Sequence, residues 1–253
     1  MSDDTTLDPA FLAAIPENQR EFFELMTRDE PLHPDLLPYV TEVKSFGQML
    51  RHPLVYEIGI HGPARINKRY AAVTEALAKA RKDANWHKFI WLHERPWRQD
   101  ALRQIESHLR PAEYWTHVRD VWIDSENVWQ NFAEWVDMLN DPRPAQSQIM
   151  TAPERKALRA LPETVKVYRG CQLNLNDDGL SWTLDYNLAL WFATRHVIST
   201  SDDENEDQSP VVLHGEVPRS KILAYFKEGR GEEEIVVRHP VHVKVVVIEV
   251  VVV

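Results

Sequence analysis

The sequence predicts an α+β protein, with a helical N-terminal region at 1–150 and a small β-rich domain with one prominent helix at 151–253. Three observations predict it. Apolar residues recur at three- and four-residue steps through residues 9–140. A polar, Pro-rich break, NDPRPAQSQ, follows at 140–148. Beyond it, short alternating and β-branched runs take over.

Taken in order, FLAAIPENQREFFELM, YAAVTEALAKA, WRQDALRQIESHL and AEYWTHVRDVW all carry the helical period. Ser125 is placed to cap the next helix, ENVWQNFAEWVDML, whose Val128, Trp129, Phe132, Trp135, Val136 and Leu139 share a broad face. Thr151 and Glu154 form a capping box for PERKALRAL. TVKVYRG at 164–170 alternates like a strand, and LSWT at 180–183 is short and strand-like. Asp185 can cap the helix YNLALWFATRH, in which Leu188, Trp191 and Phe192 share a face expected to be core. After an acidic loop at 201–208 come the strands PVVLHGEV, KILAYF, EIVV and HVKVVVIEVVVV. The last is apolar enough to suggest burial on both faces.

Composition excludes several classes. A single cysteine, Cys171, cannot form an internal disulfide and points to a reducing compartment. The acidic N-terminus lacks the pattern of a signal peptide, and no window approaches a membrane span, so a cytoplasmic protein without membrane contact is expected. The net charge of −10 argues against a uniform nucleic-acid binder. The histidines show no paired metal-ligand spacing, so no metal is expected. Eight glycines supply no phosphate-cradling loop. Cys171 with His196, His214 or His239 lacks a thiol-protease signature, and a lone cysteine is usually inert packing.

The segment GEEEIVV at 231–237 runs three carboxylates into an apolar strand, against both charge repulsion and strand preference. Alone, such a run reads as a solvated feature blunting an edge strand. Arg169 alone reads as a surface ion pair and Ser181 as a strand end. Together and in order, Tyr168-Arg169-Gly170, Ser181-Trp182-Thr183 and Glu232-Glu233-Glu234 change the balance. The set resembles the mono-ADP-ribosyltransferases of the Arg–Ser–Glu class, which includes many bacterial toxins. The likeness covers about residues 160–253; no family is recognised for 1–150.

The resemblance implies a compact ADP-ribosyltransferase-like domain that takes NAD as substrate and moves ADP-ribose to a macromolecular acceptor. Arg169 would grip the pyrophosphate, a task suited to a planar guanidinium. Glu234 would stabilise the oxocarbenium-like ribose, and Ser181 would orient it. Glu232 would meet the acceptor, with Glu233 an open alternative for that role. Tyr168, Gly170, Ser181, Trp182 and Thr183 complete the expected NAD-binding set. Glutamate at 232 goes with protein arginine as acceptor in that family. A nucleic-acid base, plain NAD hydrolysis and a non-catalytic binding module are the alternatives. A toxin, defence or phage-effector setting, with an antitoxin or inhibitor protein as partner, follows from the resemblance alone. At 65–110, Arg65, Lys68, Arg69, Arg81, Lys82 and Lys88 interleave with Tyr70, Trp86, Trp91 and Trp97. That mixture suits a single strand of nucleic acid, although a helical bundle with a solvated basic face is the plainer reading.

Overall fold

In the computed structural model, residues 15–44, 47–126, 128–174, 176–195, 209–228, 232–238 and 241–247 are described. The acidic loop 201–208, residues 9–14 and the final valines lie outside them. The chain divides into two compact units, Met1–Ser107 and His108–Val253. The expected boundary at 150 therefore falls inside the second unit.

The first unit carries helices α1 (Glu17–Thr27), α2 (Pro63–Lys82), α3 (Trp86–Trp91) and α4 (Arg98–Ile105). It also holds a three-stranded antiparallel sheet that the helical reading of 9–140 missed: β1 (Val40–Val43), β2 (Gly47–His52) and β3 (Val55–Ile58). Strands of four to six residues offer too few alternations to stand out beside helical periods. His52 pairs directly with Val55, so Pro53-Leu54 is a two-residue hairpin loop, tied by the Leu54 N–H donating to His52 Nδ1 at 3.0 Å. Leu36, Leu50, Leu54, Val55 and Ile66 form the core here, with Tyr70 packed against them.

The second unit begins with α5 (Pro111–Asp124), α6 (Phe132–Leu139) and α7 (Ala152–Ala160). The α-helix that follows α5 has Asn131, not Ser125, at its N-cap position. Ser125 ends α5, donating its hydroxyl to the Val121 carbonyl at 2.7 Å, and α6 starts only at Phe132 after a 3-10 turn. The Val121 carbonyl also accepts the Ser125 N–H at 3.0 Å, so side chain and backbone of Ser125 together close the C-terminus of α5. The capping box of Thr151 and Glu154 forms as expected.

The sheet of this unit has six antiparallel strands in the order β7-β8-β5-β4-β6-β9. They are β4 (Thr164–Gln172), β5 (Ser181–Thr183), β6 (Pro210–Pro218), β7 (Ala224–Phe226), β8 (Glu234–Val236) and β9 (Val241–Val247). Helix α8 (Tyr186–Thr194) follows β5, and Asp185 caps it through the N–H groups of Asn187 and Leu188. Two expectations fail here. Strand β9 lies at the sheet edge with Val243 and Val245 exposed, so it is not buried on both faces. In α8 the buried residues are Ala189 and Ala193, whereas Trp191 is 52 % exposed. The reason is Gly170: a Cβ there would lie 1.7 Å from the Ala189 carbonyl oxygen. The helix backbone comes so close to β4 that only small side chains fit between them.

Candidate functional site

Antiparallel pairing of β5 with β8 sets Thr183 opposite Glu234 and Ser181 opposite Val236. Ser181 and Glu234 are thus diagonal neighbours on one face, a spacing that side chains can bridge. They meet: the Ser181 hydroxyl donates to Glu234 Oε1 at 2.5 Å. Glu234 is 5 % exposed, and the same Oε1 accepts from the Trp122 indole Nε1 at 3.0 Å. A buried carboxylate needs such donors to offset the loss of water.

Trp122 belongs to α5, within the region expected to be separate from the catalytic domain. It is 1 % exposed and packs edge-on against Trp135 at 5.0 Å between centroids. Its role was hidden in the sequence, where it reads as one more apolar residue of an amphipathic helix. The only sequence signal was a tryptophan whose buried N–H must find an acceptor somewhere.

Arg169 lies on β4 with its guanidinium turned onto the segment before β5. Nε and Nη2 donate to the Asn176 carbonyl at 3.2 and 2.7 Å, and Nη1 donates to the Ser181 carbonyl at 2.7 Å. Gly179 makes room for the fork, since a Cβ there would stand 2.0 Å from Nη2. Burial pulls the pKa of Arg169 down, opposed by Cys171, Asp178, Glu234 and Asp177. The guanidinium therefore joins β4 to the start of β5, one residue's backbone away from the Ser181–Glu234 bond.

The acidic triplet divides its labour. Glu233 has a left-handed backbone, φ 45°, and its carboxylate meets Lys227 at 3.2 Å and the Tyr225 hydroxyl at 3.4 Å. The carboxylate of Glu232 is bonded to no described residue, while its carbonyl accepts from the Thr183 hydroxyl at 2.8 Å. Of the two, only Glu232 has a carboxylate with no partner among the described residues.

The remaining predicted residues are engaged within the fold. Trp182 is buried and donates its indole N–H to the Gly179 carbonyl at 3.0 Å. Thr183 links Glu232 to the Asp185 N–H. Tyr168 packs edge-on against Tyr186 and His214, and Gly170 admits α8. Burial pushes the Cys171 thiol up to about 11, which removes it as a thiolate nucleophile near neutral pH. His196 and His239 lie outside the described residues.

In the first unit, Arg65, Lys68 and Arg69 are committed to carboxylates, and Arg81 lies over the Phe89 ring. Arg65 forks onto Glu57 at 3.1 and 2.8 Å, Arg69 bridges Glu57 and Glu94, and Lys68 pairs with Glu21. Tyr70 packs on the core and Arg98 lies over the Trp91 ring. Among the described residues no helix is long and apolar enough to cross a membrane. No family model matches the chain, and no curated protein or solved structure matches it.

Proposed function

We propose that the chain is an NAD-dependent mono-ADP-ribosyltransferase that releases nicotinamide and joins ADP-ribose to a macromolecular acceptor, with protein arginine favoured. The observation that carries this is the bond from Ser181 to the buried Glu234, beside a guanidinium locked onto the Ser181 carbonyl. Three residues singled out from separate segments meet at one place, which isolated motifs would not do.

The chemistry suits those groups. As the bond from ribose C1′ to the nicotinamide nitrogen breaks, the electron pair leaves with nicotinamide and positive charge grows on the ribose. A fixed carboxylate such as Glu234 stabilises that charge without reorganising. Arg169 spends three of its five N–H donors on the described carbonyls. It therefore serves first to fix β5 and the loop before it, and offers the pyrophosphate its charge and its remaining donors. Glu232 orients the acceptor guanidine and takes its proton as nitrogen bonds to C1′. Arginine is favoured over a nucleic-acid base because the basic side chains at 65–69 are already paired with carboxylates.

The test is incubation of the purified protein with adenylate-labelled NAD, alone and in a cell lysate. Nicotinamide release with label that protease destroys and nuclease spares supports the reading. Label destroyed by nuclease moves the acceptor to nucleic acid, release without label leaves NAD hydrolysis, and no release refutes the enzyme.

A further inference from the structure

Both ends of the connection from β7 to β8 are held from the helical side of the unit. Glu154, on α7 and 1 % exposed, receives the Lys227 and Glu228 backbone N–H groups on Oε1 at 3.0 and 3.1 Å. The same oxygen accepts from Arg119 Nη2 of α5 at 3.0 Å, while Oε2 closes the capping box on the Thr151 N–H at 2.8 Å. Arg119 also lies over the Phe226 ring at 5.3 Å. One turn along α5, Trp122 takes the other end of the connection at Glu234 and touches Phe226 as well. Phe226 pairs directly with Glu234 across the sheet.

Arg119 and Trp122, three residues apart, share one face of α5. A buried carboxylate with four donors and an indole spent on a second buried carboxylate are costly arrangements unless they fix something. What they fix is the segment carrying Glu232 and Glu234.

We propose that Arg119, Glu154 and Trp122 act as a brace of positioning residues, holding the ends of the β7–β8 connection so that Glu234 meets the reacting ribose. The proposal rests on the transferase reading above. None of the three need touch NAD. Loss of the brace should therefore slow the chemical step while cofactor binding stays intact, because small misplacements of a reacting group are expensive in rate.

The experiment uses the full chain carrying Trp122→Phe or Glu154→Gln, with nicotinamide release measured against NAD concentration and NAD binding by calorimetry. The first variant keeps an aromatic ring and removes the N–H; the second keeps shape and removes the charge. Each should lower kcat at least about tenfold, with KM within about twofold and binding stoichiometry unchanged. If Glu154→Gln does not fold, Glu154→Asp, which keeps the charge and shortens the reach, takes its place under the same criteria. Unchanged kcat in Trp122→Phe overturns the brace, as does a kcat that falls only in step with binding stoichiometry, the signature of lost folded protein. A wild-type chain that cleaves no NAD overturns the transferase reading and the brace with it.

Discussion

Replacing Glu234 by glutamine separates charge from shape. Among the described residues, Glu234 Oε1 accepts hydrogen bonds from Ser181 at 2.5 Å and from Trp122 at 3.0 Å. Glutamine can present its carbonyl oxygen to the same two donors. Each bond then changes from charge-assisted to neutral, a loss of about 1 kcal/mol apiece, or about 2 kcal/mol in all. Against this, a group only 5 % exposed no longer carries a charge out of water, which returns a few kcal/mol. Neutralising Glu234 also removes its attraction for the buried Arg169 guanidinium, so the compensation is only partial and the melting temperature should fall, by up to about 5 °C. Catalysis has no such compensation. On the proposed transferase chemistry a neutral amide cannot stabilise an oxocarbenium-like ribose, so Glu234→Gln should lose about a hundredfold or more in kcat. Nicotinamide release under saturating NAD, with a thermal melt of the same sample, reads both quantities. A folded Glu234→Gln protein within tenfold of wild type refutes the assignment. A variant that fails to fold refutes the energetic balance and makes Glu234 a structural residue.

Glu232→Gln should abolish transfer to the acceptor and spare NAD hydrolysis, since its carboxylate bonds no described residue and water needs no orienting base; equal loss of both activities would sink that role. Gly179→Ala drives a methyl group into the Arg169 fork and should cost about 1–3 kcal/mol in a denaturant titration together with weaker NAD binding; an unchanged midpoint would show that the fork yields freely. Cys171 titrates near 11 in the folded chain against an ordinary 9, so its contribution is fully present below pH 9 and is lost as pH rises toward 11. Wild type should therefore lose about 2–3 kcal/mol more than Cys171→Ala over that interval, and parallel curves would contradict the burial of the thiol.

What the sequence determined by itself was local. The Thr151–Glu154 capping box, the Asp185 cap and most strands of the second unit are set by residues within a few positions of one another, where spacing alone states the physics. The order Arg169, Ser181, Glu234 is legible for another reason: each is a distinctive chemical group set in a short strand signal, Arg169 within β4 and Ser181 and Glu234 at the starts of β5 and β8. The tertiary structure decided everything that depends on a distant partner. Trp122 lies 112 positions from Glu234 and looked like one more apolar residue on a helix; only packing shows where its N–H goes. In the sequence Glu154 is half of a capping box, yet its second oxygen holds backbone 73 positions away. Trp191 was expected inside because tryptophan is large and apolar, but the close approach of α8 to Gly170 admits only alanine. The valine-rich run of β9 suggests burial on both faces, yet Val243 and Val245 are exposed, because what covers a strand follows from how the whole sheet pairs and packs. Apolar character tells a residue that it should be covered; which surface covers it, and whether there is room, is settled only when the chain closes on itself.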